Sequence, residues 1–181
     1  HAHDPTAQTR LLREARIAAK LSHPNIVLIY DTGVTDAGTV FLVLQYVEGE
    51  TLRAAIERAP LVASESLRVL RAVSDALTAL HAFGGVHRDV KPDNVMVRHD
   101  GHVLLMDFGI VRMLAAKERV EDAAKLTDAG AMLGTVAYMA PEQARGLADV
   151  GPAADQWSLA VMAFELLTGA LPWKGPSPAA M

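Results

Sequence analysis

The chain has 181 residues, 51% apolar and 21% charged, with 17 Lys plus Arg against 21 Asp plus Glu for a net charge of −4. This composition excludes a globally disordered chain and suits one core-forming domain, while the acidic balance argues against nucleic acid or an anionic membrane as main partner. The absence of Cys excludes disulfides, thiolate-zinc sites and cysteine nucleophiles.

Asp4-Pro5 reads as an N-cap and first helical proline, and Leu11, Ala15, Ala18 and Leu21 continue a helix that Ser22-His23-Pro24 stops. Ile26 to Tyr30 and Thr39 to Val47 read as neighbouring antiparallel strands around the turn composition Thr35-Asp36-Ala37-Gly38. Thr51 caps a short helix ending by Pro60. Ser64 opens a long one with Leu70, Val73, Leu77 and Leu80 on one face, closed by Gly84-Gly85. A last long helix is expected from about Ala153 to Thr168. Its surroundings, Trp157 to Trp173, carry Glu165 and Gly169 and fall short of the roughly 20 residues a bilayer span needs, so a buried core helix is the reading. The tail from Pro172 to Met181 reads as loop. The polar Glu48-Gly49-Glu50 marks a hinge between a helix-plus-strand part and a mainly helical part, and such clefts are common ligand sites.

The most informative stretch runs from His87-Arg88-Asp89-Val90-Lys91-Pro92-Asp93-Asn94 to Asp107-Phe108-Gly109. Asp100-Gly101 between them signals a hairpin with a two-residue turn. That turn would set His99 opposite His102, Val97 opposite Leu104, and Asn94 opposite Asp107. Asn94 and Asp107 then either converge on one hard cation such as Mg²⁺ or cap strand ends. Asp89, on the loop entering the hairpin, is available as a base.

His87-Arg88-Asp89 with Asn94, then Asp107-Phe108-Gly109, then Ala140-Pro141-Glu142 follow the order of the protein-kinase signatures. With Ser22-His23-Pro24-Asn25-Ile26-Val27 and Gly134-Thr135 to Gln143-Ala144, the chain resembles bacterial eukaryotic-like serine/threonine protein kinases over nearly its whole length. Val90 stands where the pattern has Leu, a conservative change.

The resemblance implies an α+β, two-lobed, protein-kinase-like fold. Residues 1–47 would form a partial upper lobe and residues 48–181 a partial lower lobe. It implies transfer of the γ-phosphate of ATP to a protein hydroxyl with Mg²⁺, or Mn²⁺ in its place. Asp89 would accept the substrate proton, Lys91 steady the γ-phosphate, Asn94 and Asp107 hold the metal, and Thr135 close the substrate-side loop. Leu44 would stand behind the adenine, the backbone of Gln45 and Val47 would bond its edge, and Met96 would form part of its floor. Glu14 would pair with the ATP-binding lysine. His87 and Phe108 would join a hydrophobic spine with Ala18 and Ile29, Asp155 would anchor the catalytic loop, and Glu142 would seek an arginine further along. Ordinary alternatives stand beside these: core packing for Leu44 and Met96, a solvated loop for Lys91, and intrahelical pairing with Arg10 for Glu14.

Thr127 resembles a phosphate acceptor on the long stretch from Asp107 to Glu142. Arg10, Arg88 and Arg112 would gather around that phosphate, or remain independently solvated. The resemblance also implies a kinase homodimer for that phosphorylation and a cytoplasmic catalytic domain, with no nucleic acid or membrane contact in this segment.

No glycine-rich phosphate loop or Val-Ala-x-Lys strand is present, and the chain begins with His1. A fragment of a longer active kinase, itself poorly active, is therefore the expectation. Two rivals stay open: a pseudokinase or scaffold, and a small-molecule phosphotransferase of similar fold.

Overall fold

The computed structural model describes residues 19–36, 38–106, 136–147 and 149–173. The expected first helix falls outside these residues except at its end, where residues 19–20 form a turn.

Strands β1 (Ile29–Val34) and β2 (Val40–Leu44) form a two-stranded antiparallel sheet. Its turn is closed by Gly38 N–H to Thr35 O (2.8 Å) and Thr35 N–H to Thr39 O (2.9 Å). The first strand begins later than its composition predicts. Ile26 and Val27 are both buried and instead join the second sheet, by a parallel bridge from Ile26 to Leu105 and a Val27 N–H bond to Leu105 O (3.0 Å). Two consecutive buried residues do not fit the period of a half-exposed strand.

Strands β3 (Gly49–Thr51), β4 (Val95–Arg98) and β5 (Val103–Leu105) form the second sheet in that order, antiparallel throughout. The polar segment read as a bare hinge thus contributes a strand. It lies so close to β4 that a Cβ on Gly49 would stand 2.2 Å from Val97 O, which only glycine avoids.

The hairpin register differs by one residue from the expected one. Val97 pairs with Val103 and Met96 with Leu104, and Arg98 N–H bonds His102 O (2.9 Å). A two-residue type I′ turn would need positive φ at both Asp100 and Gly101. Only Gly101 takes it (82°), while the Asp100 carboxylate accepts the His102 N–H (2.9 Å) and pairs with Arg98 (3.1 Å). Asn94 therefore stands across from Met106, whose N–H bonds Asn94 O (2.9 Å), and not from Asp107, which lies outside the described residues.

Helix α1 (Leu52–Arg58) is capped by the Thr51 hydroxyl, which accepts from Ala54 N–H (3.2 Å). Helix α2 (Ala63–Ala82) buries Val69, Val73, Ala76, Leu77 and Leu80 on one face. Gly84 (φ 85°) and Gly85 end it through N–H bonds to His81 O and Leu80 O. After the short helix α3 (Pro141–Ala144), helix α4 (Pro152–Thr168) starts at a proline and stops at Gly169 (φ 73°). It buries Ala154, Asp155, Ser158, Val161, Met162 and Leu166, with Val161, Met162 and Leu166 in the core as expected, while Trp157, Phe164 and Leu167 on its other face are exposed. The core joins α2, α4, the second sheet, Ile26 and Tyr138. Among the described residues no helix is long and apolar enough to cross a membrane.

Candidate active site

The segment between α2 and β4 has little regular structure, yet buried side chains fix its backbone. Asp155, fully buried in the first turn of α4, accepts the His87 N–H at Oδ2 (2.8 Å) and the Arg88 N–H at Oδ1 (2.7 Å). His81, at the end of α2, adds a third bond to Oδ2 (2.8 Å). A buried carboxylate needs several donors to offset its lost hydration, and these three come from two elements. His87 is itself fully buried; its Nε2 meets Met106 O (3.0 Å), so that nitrogen carries the proton, and its Nδ1 accepts the Asp89 N–H (3.3 Å).

This scaffold presents three side chains side by side. Lys91 Nζ lies 3.1 Å from the Asp89 carboxylate, and both are largely shielded. Asn94 Nδ2 donates to Asp89 O (2.8 Å) and to the same carboxylate (3.1 Å). Those bonds commit the nitrogen of the Asn94 amide toward Asp89 and leave its oxygen as the end suited to a hard cation. A 3₁₀ turn over Pro92–Asn94, with Pro92 and Asn94 buried, holds this spacing. A carboxylate flanked by an ammonium and an amide can orient a hydroxyl and take its proton while the cation faces a transferring anion. Among the described residues the Asn94 amide oxygen and the Asp89 carboxylate are oxygen donors of the kind Mg²⁺ takes, and no group of three His, Asp or Glu gathers there.

On the hinge side, Gln45 N–H bonds Leu28 O (2.8 Å) and its side-chain oxygen accepts the Leu28 N–H (3.3 Å). The Gln45 N–H is thus committed within the chain. Leu44 ends β2 and is exposed, Val47 is half-buried, and Met96 lies in β4 between Thr51 and Leu104. Ile29 is buried in β1 and Glu142 half-buried in α3. The expectations for Glu14, Ala18, Asp107, Phe108, Thr127, Thr135, Arg10 and Arg112 fall outside the described residues.

Several residues were not legible as site components. Gln143 donates from Nε2 to Arg88 O (2.8 Å). Arg53 in α1 reaches Glu165 (2.8 Å), the Tyr138 hydroxyl (2.6 Å) and Asp93 (3.5 Å), and Tyr138 also donates to Glu165. Burial works to lower the Arg53 pKa, but the hydrogen bond to Glu165, with Tyr138, outweighs it and the net shift is upward. Burial, then the bond to Glu165, pushes the Tyr138 hydroxyl up as well. The one signal available for these was Gln at the third position of a helix opening with Pro, half of a capping box.

A carboxylate, a lysine and an amide gathered on one loop beside a strand hairpin is an arrangement that phosphoryl-transfer proteins of α+β fold use. The chain belongs to the protein kinase domain family, whose profile matches residues 1–180. It is 45% identical over 179 residues to the serine/threonine-protein kinase PknL of Mycobacterium tuberculosis, covering 98% of this chain and 42% of that protein. It is 40% identical over 181 residues to PknB of Mycobacterium leprae, covering 98% of this chain and 28% of that protein. The chain thus spans less than half the length of these relatives. The crystal structure of Rad53 1-466 in complex with AMP-PNP superposes with a TM-score of 0.72 at 26% identity, over 94% of this chain and 41% of that one.

Proposed function

We propose that this chain is the catalytic segment of an ATP-dependent serine/threonine protein kinase. The observation that carries the reading is the Asp89 carboxylate held at 3.1 Å from both Lys91 Nζ and Asn94 Nδ2, on a loop whose backbone a buried aspartate fixes. In this reading Asp89 accepts the proton of a Ser or Thr hydroxyl and Lys91 steadies the γ-phosphate. Asn94 and Asp107 hold Mg²⁺, which neutralises phosphate charge, and Thr135 closes the substrate side. The Gln45 carbonyl and the Val47 backbone take the adenine edge between Leu44 and Met96, and Glu14 orients the nucleotide-binding lysine. The names of the mycobacterial relatives and the AMP-PNP in the Rad53 complex support it. Regulation follows from Arg88: among the described residues its Nε is buried without a hydrogen-bond partner, which supports a phosphate on Thr127, added by a second copy in the cytoplasm, drawing in Arg88, Arg10 and Arg112.

The test is phosphate transfer by the full protein that carries this chain, with Mg²⁺-ATP and either a protein or an aminoglycoside acceptor. Transfer to Ser or Thr of the protein is expected, with a drop of about 10²- to 10⁴-fold for Asp89→Ala. Nucleotide binding without transfer would mark a pseudokinase or scaffold, and transfer to the aminoglycoside alone a small-molecule enzyme; either overturns the reading.

A further inference from the structure

Gln143 has two partners in different parts of the molecule. Its Oε1 accepts the Ala140 N–H at the start of α3 (3.2 Å), and its Nε2 donates to the Arg88 carbonyl (2.8 Å). Arg88 is the one described non-glycine residue with positive φ (65°). That conformation is unfavourable for an L-residue and persists only where the surroundings over-determine it. Asp155 holds the N–H on one side of Arg88. On the other side lies the peptide that leads into Asp89, whose N–H goes to His87 Nδ1 (3.3 Å) and whose carbonyl takes the Gln143 amide. The plane of that peptide sets the direction in which the Asp89 side chain leaves the backbone.

We propose that Gln143 is a positioning residue for Asp89. Its amide fixes the Arg88–Asp89 peptide plane and ties it to α3, so that the base and the segment leading into α3 are set together. The proposal rests on the reading of Asp89 as the base. The two ends of the amide separate the roles. Glutamate at this position keeps an oxygen for the Ala140 N–H, but its ionised form cannot donate to Arg88 O and presents negative charge to that carbonyl. Once protonated, the same side chain again has a donor and an acceptor.

The test compares Gln143→Glu with Gln143→Ala and wild type in the full protein that carries this chain. For Gln143→Glu, kcat is expected to fall about tenfold with KM for ATP unchanged. The deficit relative to wild type should narrow as pH falls toward the carboxyl range. Wild-type kcat in Gln143→Glu, or a loss confined to Gln143→Ala that tracks its melting temperature, would reduce Gln143 to a helix cap and overturn the proposal. A second readout does not need activity: the backbone amide resonances of Arg88 and Asp89 should shift in Gln143→Glu at neutral pH and return toward wild type on acidification. If wild type transfers no phosphate, the assignment of function fails, and these resonances alone judge the positioning role; unshifted resonances refute it.

Discussion

The two sheets are anchored by different physics. In the β3–β4–β5 sheet, Val95, Val103 and Leu105 are buried against α2 and the rest of the core, and the adjoining loop is fixed by side chains from α2, α3 and α4. In the β1–β2 sheet only Ile29 is buried among the strand residues, while Tyr30, Phe41, Val43 and Leu44 are exposed. Among the described residues, what joins it to the rest is mostly backbone: Leu105 N–H to Asn25 O (2.8 Å), Val27 N–H to Leu105 O, and the Asn25 side chain to Val103 O (2.9 Å). Among the described residues the side that carries Asp89 is tied by more side chains than the side that carries Leu44 and Gln45.

The sharpest way to break this contrast is Asp155→Ala. It would strand the buried His87 N–H and the half-buried Arg88 N–H and His81 ring at once, and a buried group costs about 1–3 kcal/mol when unpaired. A loss of about 3–5 kcal/mol in urea unfolding is expected. Hydrogen exchange should quicken over residues 81–94 and leave the β1–β2 ladder unchanged. Faster exchange in that ladder alone would mean that the two halves are not anchored separately.

Tyr138→Phe probes the ties among α1, α4 and the loop. The hydroxyl bridges Arg53 and Glu165, and charged hydrogen bonds contribute about 1.5–3 kcal/mol; a loss near the lower figure is expected, since Arg53 and Glu165 keep each other. The pH sign follows from the raised Tyr138 pKa. A group whose proton is held more tightly in the folded state contributes fully below its ordinary value of 10.0, and the contribution fades as pH climbs above it. Wild type and Tyr138→Phe should therefore converge in melting temperature above pH 10, and a constant gap would show that the hydroxyl proton is not involved.

How much of this was legible depended on range. Thr51, Gly84 and Gly169 announced helix ends because caps are local chemistry. Asp89 and Asn94 were legible because one short segment sets their spacing, whereas Lys91 was legible only through the resemblance of its motif to protein kinases. The hairpin register was not, since Asp-Gly serves both two-residue and longer loops, and the contact that decides between them, Asp100 with the His102 N–H, needs the folded turn. Gly49–Thr51 carries no strand pattern and becomes one only by pairing with β4. Gln143, His81 and the Arg53–Glu165 pair join residues far apart in sequence, so no local period could place them.

Asn25→Ala tests the tie to the β1–β2 sheet. Its side-chain bond to Val103 O is part-buried, so about 1 kcal/mol is the expected loss. The distribution matters more than the size: amide exchange in β1–β2 should accelerate while residues 81–94 keep their protection, the mirror image of Asp155→Ala. Equal acceleration in both sheets would make the molecule one cooperative unit and remove the contrast.

The smallest effect belongs to the exposed turn at the far end of the second sheet. The bond from the His102 N–H, aided by Arg98, holds the Asp100 carboxyl below its ordinary 3.8. A carboxyl with a depressed folded value supports the fold above 3.8, and that support is lost as pH falls through the lower, folded value. Because Asp100 is fully exposed, solvent screening leaves little of this in overall stability. It belongs instead in a local signal: the His102 amide resonance should titrate with a midpoint below 3.8, and the titration should vanish in Asp100→Asn. A midpoint at or above 3.8 would mean that Asp100 does not hold the longer loop. The one-residue register, and with it the placing of Asn94 across from Met106, would then have to rest on Gly101 alone.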